Sequence, residues 1–271
     1  MKIYTLQTGS TLVSSAVPDR SSHRWTYAYT GLFQRRKKRI CVPVKAFLVE
    51  NQGHRVLIDT GWSEACVDHP LSHLGFGLWF ASEPVLKREE AIPYQLQKLS
   101  LKPSDIDAIV LTHLDCDHVS GLRPLKEAKH IYCSKEEWQH AQTRDVRYRK
   151  AFWEGVHIET VSMKKDTSAP FGKSCDLFGD GSFILILTPG HSEESMAILV
   201  YEHKQYAAFI GDDSYNHHSW EEQKLPGPIY DIQSMKKTLR WVKQLSEDPH
   251  CIGIYADHEN VSLDSSCTFF V

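Results

Sequence analysis

Residues 109–122 read IVLTHLDCDHVSGL, and this stretch decides the fold. An apolar run at residues 109–111 leads directly into polar side chains that could bind a metal ion. His113, Asp115, Asp117 and His118 place two imidazoles and two carboxylates within six residues. Histidine is the commonest metal ligand, and loops on a rigid scaffold carry most functional residues. The stretch therefore predicts a buried strand that ends at a metal site.

Three further stretches repeat this arrangement, with polar side chains after an apolar run. ILILTPGHSEES (184–195) supplies His191, and AAFIGDDSY (207–215) supplies Asp212, Asp213 and Tyr215. IGIYADHE (252–259) supplies Asp257 and His258. Because strand ends at one edge of a sheet converge in space, we expect these groups to gather around one site. Nitrogen and oxygen donors of this kind suit Zn, Fe or Mn.

The remaining pattern places strands in clusters, with helices and hairpins between them. Alternation or apolar runs predict strands at the N-terminus and at residues 44–49, 55–58, 106–111, 183–187, 196–201, 206–210 and 251–255. Helical spacing appears around residues 92–99 and 235–245, with Asp231 as an N-cap of the second helix. We therefore predict an α+β protein with two mixed sheets, forming a single domain over residues 1–271.

The composition narrows the class of protein. The 271 residues are 41% hydrophobic and 24% charged, with a formal net charge of -3 and a mean hydropathy of -0.37. These values are typical of a globular protein, and the near-neutral charge argues against nucleic-acid binding. No run is long enough to span a membrane, no signal peptide is recognisable, and seven scattered cysteines, Cys267 among them, fit reduced thiols. We expect a cytoplasmic protein without a membrane partner, and a second copy of the chain is a candidate partner.

With VLIDTG at residues 56–61, these stretches make the sequence similar to the metallo-β-lactamase superfamily, and most of all to its N-acyl homoserine lactonases. The resemblance runs from residue 42 to residue 259. It implies an αββα sandwich, in which two sheets pack face to face between outer helices and hold metal ions at one edge. It also implies two divalent ions, with Zn expected first and Fe or Mn as alternatives.

The resemblance assigns a role to each candidate residue. The first ion would be held by His113 and His191, the second by Asp117, His118 and His258, and Asp212 would bridge both. Asp59 would lie beside the site and support the ligands, and Tyr215 would point at the substrate carbonyl.

The sequence departs from the family at one ligand. The family pattern is HxHxDH, whereas the middle position here is Asp115. We expect Asp115 to ligate the first ion through oxygen, which would favour Mn or Fe over Zn. Two alternatives stay open: the shorter side chain does not reach the ion, or the centre holds one ion at the second position. Asp213 is an alternative bridge, and Cys116 is expected to face the core.

The implied activity is hydrolysis of a lactone or related acyl ester, as in quorum quenching. Hydroxide bound to the ions would attack the carbonyl, Tyr215 would stabilise the oxyanion, and Asp117 would pass a proton to the leaving alkoxide. The apolar segment HLGFGLWFASEPVL (73–86) falls where lactonases place an acyl-chain pocket, so Phe76, Trp79 and Phe80 are candidate substrate contacts.

Other functions stay open on the sequence. The basic run RRKKR (35–39) would suit a phosphodiester or sulfate ester if it faced the cleft. The carboxylate at position 115 also resembles di-iron redox proteins of the superfamily, although no flavodoxin-like domain is recognisable. An inactive metal-binding homologue is the remaining alternative.

Overall fold

The computed structural model describes residues 1–23, 25, 27–143 and 145–259. Cys267 and the C-terminal end of the expected domain lie outside these residues. The strands are β1 (Lys2–Val13), β2 (Ile40–Asn51), β3 (His54–Ile58), β4 (Ser82–Val85), β5 (Ala108–Val110), β6 (His130–Cys133), β7 (Glu159–Thr160), β8 (Lys164–Lys165), β9 (Lys173–Asp176), β10 (Phe183–Leu187), β11 (Met196–Glu202), β12 (Gln205–Gly211) and β13 (Cys251–Ala256). The α-helices are α1 (Ala65–Asp68), α2 (Pro70–Ala81), α3 (Ile92–Lys98), α4 (Cys116–Val119), α5 (Lys135–Ala141), α6 (His217–Glu221) and α7 (Ile232–Glu247).

The described strands form two mixed sheets. The first has the order β4-β1-β2-β3-β5-β6-β7, and the second has the order β13-β12-β11-β10-β9-β8. In the first sheet β3, β5, β6 and β7 run parallel, and in the second β12 and β13 do so, while the other pairs are antiparallel. The α+β prediction with two mixed sheets is confirmed.

The period-two alternation of β2 shows how the layers form. Phe47 and Val49 point into the core between the two sheets, where they meet Phe209 and other residues of the second sheet. Ala46 and Leu48 point the other way, into the core under the helices that cover the first sheet. A strand buried on both faces has a continuous apolar sequence, which matches residues 46–49, whereas the buried Lys45 interrupts the run before them.

The second sheet is covered by α7. Asp231 caps this helix, because its side chain accepts a hydrogen bond of 2.7 Å from the backbone N–H of Ser234. Met235, Leu239 and Val242 are fully buried against the outer face of the sheet. The helix and its N-cap are where the sequence predicts them, and they complete the αββα sandwich.

The segment at residues 73–86 divides into two elements. Most of it belongs to α2, which is interrupted at Gly75, where φ is +74°. The end of the segment forms β4, which pairs with the β1 edge of the first sheet. Among all the described residues, no helix combines the length and the apolar content needed to cross a bilayer.

Candidate metal centre

The expected ligands converge because strands of both sheets end at one edge of the sandwich. The loop after β5 supplies residues 113–118, and the loops after β10, β12 and β13 supply His191, Asp212 and His258. Gly211 lets two of these loops approach, since a Cβ at this position would lie 2.7 Å from Oγ1 of Thr112. Its φ of +48° also favours glycine.

Asp59 supports the first of these loops from the end of β3. Its carboxylate accepts hydrogen bonds from the backbone N–H of Thr112 at 2.8 Å and from Oγ1 of Thr112 at 2.7 Å. It also lies 2.9 Å from Nδ1 of His118. Burial opposes ionisation of Asp59, but the hydrogen bonds with His118 and Thr112 and the charges of His118 and His113 together outweigh it, and the pKa of the carboxyl lies below its usual value. Asp59 also forms a candidate ligand group with His118 and Asp257, so its supporting role stays a prediction.

The outer nitrogens of two imidazoles are tied to the protein, which turns their inner nitrogens toward the site. Nδ1 of His258 lies 2.8 Å from the carbonyl oxygen of Pro43, to which it donates. Nδ1 of His118 is shared between Asp59 and Asp257, the latter at 3.2 Å. Each ring can then present an unprotonated Nε2, which is the arrangement that metal-binding histidines adopt.

The second expected ligand set has the spacing of a metal site. Nε2 of His118 lies 3.3 Å from Oδ1 of Asp212, Nε2 of His258 lies 3.1 Å from the same oxygen, and Nε2 of His258 lies 3.6 Å from Oδ2 of Asp117. Tetrahedral zinc ligands about 2.0–2.2 Å from the ion lie about 3.3–3.6 Å from one another. Within the described part of the chain, His118 Nε2 and Asp212 Oδ1 have no hydrogen-bond partner although they are buried. The ligand atoms of Asp117, His118 and His258 lie within 4.8 Å of one another, and Asp212 Oδ1 lies beside both imidazoles. This arrangement fits a divalent cation.

The first expected ligand set is also close together, but a cation of the protein itself lies in it. Nε2 of His191 lies 3.1 Å from Oδ2 of Asp115 and 3.5 Å from Oδ2 of Asp212, and Nε2 of His113 lies 3.5 Å from Oδ2 of Asp115. Asp212 therefore directs one oxygen to each set. The guanidinium of Arg147 donates to both oxygens of Asp115 and lies 2.7 Å from Nε2 of His191.

The electrostatics of the centre are dominated by these carboxylates. Burial favours the neutral acid, but the charge of Arg147 and the neighbouring imidazoles hold the pKa of Asp115 well below its usual value. Burial also opposes protonation of His258, yet the Asp212 carboxylate raises the pKa of this ring to about 9. The second set is thus an anionic site in which a proton and a cation compete for the same nitrogen.

Tyr215 lies over the second set and borders a cavity of about 600 Å³. Its ring stacks on His258, with centroids 5.0 Å apart and planes 13° from parallel. Burial, followed by the charge of Asp212, raises the pKa of the phenol well above its usual value, so the hydroxyl keeps its proton. The cavity walls are mainly apolar, and Asp115, Asp117, Arg147, Asp212, Tyr215 and His258 lie at its polar end.

Of the three aromatic residues expected to contact substrate, the structure brings one to the cavity. Phe80 lines the wall, whereas Trp79 packs against the core and Phe76 is exposed, with its ring 5.9 Å from that of Phe80. The reason is the helical turn of α2, which points successive side chains in different directions. Among the described lining residues none comes from the basic run 35–39, in which Arg36 pairs with Glu83.

One residue of the centre lies outside the residues singled out in the sequence. Arg147 belongs to a loop whose sequence has no fixed spacing to the HLDCDH stretch, so no signal in the sequence pointed to it. Asp257 is among the polar residues that follow the β13 run in the sequence, but the resemblance gives it no ligand role. Asp213 is buried but belongs to none of the candidate ligand groups found among the described residues, and Cys116 packs in the core.

Comparison with known proteins agrees with this geometry. Residues 39–250 match the model of the metallo-beta-lactamase superfamily. The N-acyl homoserine lactonase AttM of Rhizobium radiobacter is 29% identical over 210 residues, which cover 75% of this chain and 76% of that protein.

Two solved structures share the fold. An N-acyl homoserine lactone hydrolase with N-hexanoyl-L-homoserine at its catalytic metal centre superposes with a TM-score of 0.75 at 18% identity, covering 94% of this chain and 92% of that chain. AidC, a dizinc quorum-quenching lactonase, gives a TM-score of 0.64 at 15% identity, covering 94% and 86% of the two chains. The family match spans most of the sequence, and the chain belongs to the metallo-beta-lactamase superfamily as an enzyme of the metallo-hydrolase type.

Proposed function

We propose that the protein hydrolyses a lactone of the N-acyl homoserine type or a closely related acyl ester. The observation that carries this proposal is the mainly apolar cavity of about 600 Å³ that ends on carboxylates, an imidazole and the Tyr215 hydroxyl. A lipophilic acyl group suits the apolar walls, and the ester bond would then reach the polar end. The lactonase relatives support the same substrate class, which would make the activity quorum quenching.

Asp117, His118, Asp212 and His258 would hold a divalent cation, with Zn preferred and Fe or Mn as alternatives. A divalent cation in such a set lowers the pKa of water and polarises a carbonyl, which are the two requirements of ester hydrolysis. Asp59 supports this set by fixing His118, and the carbonyl of Pro43 does the same for His258.

Tyr215 is the residue placed to bind the oxygen that becomes negatively charged. Because its pKa lies well above the usual value, its hydroxyl is a hydrogen-bond donor throughout the working pH range. Donors that are already oriented before the reaction stabilise an oxyanion without reorganisation. Asp117 borders the same end of the cavity, so its carboxylate is the candidate that passes a proton to the leaving alkoxide.

The proposal places the acyl chain along Phe80 and its apolar neighbours, away from Trp79. A phosphodiester or sulfate ester has less support, because the lining contains no free cationic side chain among the described residues: Arg147 is neutralised by Asp115. Cytoplasmic location, a single domain and association with a second copy of the chain stay predictions from the sequence.

A substrate panel tests the proposal. Protein loaded with Zn or Mn would be assayed on acyl homoserine lactones of several chain lengths, a nitrophenyl acyl ester, bis-nitrophenyl phosphate and a nitrophenyl sulfate. We expect the highest kcat/KM on lactones with longer acyl chains, and an Asp117→Asn variant as the inactive control. Preference for the phosphate or sulfate, or no turnover of any lactone or ester, would refute the assignment.

A further inference from the structure

We propose that the Arg147 guanidinium, paired with Asp115, takes the place of the first metal ion, so that the centre holds one divalent cation per chain. That cation would be held by Asp117, His118, Asp212 and His258. The inference rests on the proposed function in one respect, since both need this ligand set.

The contacts of Arg147 place its charge on the atoms that the first ion would need. Nη2 donates to Oδ2 of Asp115 at 2.6 Å and lies 2.7 Å from Nε2 of His191, while Nε donates to the other oxygen of Asp115. Nη1 donates to the backbone carbonyl oxygen of His191 at 3.1 Å. Each of the three guanidinium nitrogens therefore bonds to Asp115 or His191.

Arginine and a metal ion exclude each other at His191. A metal bond to imidazole uses the lone pair of an unprotonated nitrogen at about 2.0–2.1 Å, and an N–H donor at hydrogen-bond distance uses the same lone pair. Arginine does not lose its proton in proteins, so it cannot give way by becoming neutral. A divalent ion would also meet the full repulsion of a neighbouring positive charge in a buried site.

The second ligand set shows the contrast. His118 Nε2 and Asp212 Oδ1 carry no hydrogen bond from any described residue, and a cation would be their partner. In the first set His113 Nε2 is likewise buried without a hydrogen-bond partner, but Asp115 has both oxygens engaged and His191 has a donor on its inner nitrogen. Ligand-like spacing alone therefore does not make the first set a second metal site.

The loop that carries Arg147 is fixed from both sides. Asp145 accepts a hydrogen bond of 2.9 Å from the backbone N–H of Arg147. The neighbouring Tyr148 donates to the buried Glu137 at 3.0 Å, and the same carboxylate oxygen accepts from the backbone N–H of Leu114 at 3.0 Å. Glu137 thus links the Arg147 loop to the HLDCDH stretch. These contacts hold the Arg147 guanidinium in position within the centre.

This arrangement accounts for the aspartate at position 115. A histidine there would leave the guanidinium without a counter-charge, whereas aspartate forms a two-pronged ion pair with it. The pair is neutral, so it fills the first position without the charge of a divalent ion. We infer that Asp115 serves as the partner of Arg147 rather than as a metal ligand.

Metal stoichiometry tests the proposal without reference to activity. The full chain would be equilibrated with excess Zn or Mn, freed of unbound metal by gel filtration, and measured by elemental analysis, with calorimetric titration counting the binding events. We expect one ion per chain for the wild type and for Arg149→Ala, a half-buried neighbouring arginine outside the candidate ligand groups of the described residues, as matched control. We expect two for Arg147→Ala combined with Asp115→His.

Two ions on the wild type would overturn the proposal, and this measurement does not depend on whether the variants fold. One ion on a folded double variant would also overturn it, because the first position would then be empty for another reason. The proposed function fails separately: a wild type with one ion and no turnover of lactones or esters refutes the function alone, and one with two ions and lactonase activity refutes this inference alone.

Discussion

Tyr215 stacks its ring on His258 and lines the cavity together with Asp117 and Asp212. Replacing it with phenylalanine keeps the stacking and removes one donor. Loss of a single oxyanion donor typically costs about 10²–10³-fold in kcat. We therefore expect Tyr215→Phe to lower kcat on a lactone by about that factor, with KM changed much less, in steady-state kinetics.

The control for this substitution is the metal content, which elemental analysis should find unchanged, because the proposed cation is held by Asp117, His118, Asp212 and His258 and not by Tyr215. A variant with wild-type kcat would mean that the hydroxyl does not contact the reacting carbonyl.

Asp59 acts on the centre through His118 and Thr112. Asp59→Asn keeps the volume but removes the charge that orients the His118 ring. Loss of such supporting contacts typically weakens metal binding by 10–100-fold. We expect the dissociation constant for Zn to rise by about that factor in a competition titration with a chelator. The control is Asp107→Asn, which alters an exposed ion pair with Lys129. This variant should leave the dissociation constant for Zn unchanged.

The ligand residues could be named from the sequence because each follows an apolar run that forms a buried strand. Arg147 could not, because its contacts with Asp115 and His191 depend on how a distant loop folds over the site. The resemblance suggested that Asp115 is a metal ligand. Its ion pair with Arg147, which suggests a different role, is visible only in the structure.

Helix α7 and the loop after β10 meet at Gly190. A Cβ there would lie 2.6 Å from both Cα and N of Met235, and φ at this glycine is +143°. The carbonyl of Gly190 also accepts hydrogen bonds from the backbone N–H groups of Tyr230 and Asp231, at 2.8 and 3.1 Å. The glycine thus sets the distance between the capped end of α7 and the loop that carries His191.

Gly190→Ala should separate these elements. Forcing a methyl group into a packed contact typically costs about 1–3 kcal/mol, and strain at positive φ adds to it. We expect the free energy of unfolding, measured in urea, to fall by at least 2 kcal/mol, an order-of-magnitude value. Gly53→Ala is the matched control, because its φ is +84° but no described atom lies within 4 Å of the added Cβ. An equal decrease in the free energy of unfolding of the two variants would show that the contact between Gly190 and α7 does not contribute to stability.

Elements with strong periodicity were predictable, and weakly patterned ones were not. The apolar runs at residues 183–187 and 251–255 became strands, and the capped helix at 231 begins where the sequence predicts it. The short strands β6–β9 were missed, because two to four residues carry no reliable period and pairing is decided by the neighbouring strand. The segment at 73–86 shows the same limit, since its composition did not reveal the break at Gly75.

At the scale of the whole molecule, the centre joins the two sheets. His113, Asp117 and His118 follow a strand of the first sheet, whereas Asp212 and His258 follow strands of the second. A cation bound to Asp117, His118, Asp212 and His258 would cross-link the layers of the sandwich. Ligands that bind only the folded state stabilise it by mass action, by about 2.7 kcal/mol at a concentration 100-fold above the dissociation constant.

The size of this stabilisation should depend on pH through His258. In the cation-free protein the pKa of this ring is raised from 6.5 to about 9, so the stability it contributes is fully present below pH 6.5 and is lost as the pH rises through 9. The cation needs the unprotonated ring, so protons compete with it less as the pH rises. The Tm difference between Zn-loaded and chelator-treated protein should therefore widen between pH 6.5 and pH 9, by on the order of 5 °C. Asp212→Asn removes a ligand and also the charge that raises the pKa of His258. This variant should have a smaller Tm difference between Zn-loaded and chelator-treated protein at both pH values. A wild-type difference that stays constant or narrows would mean that His258 does not couple the cation to the fold.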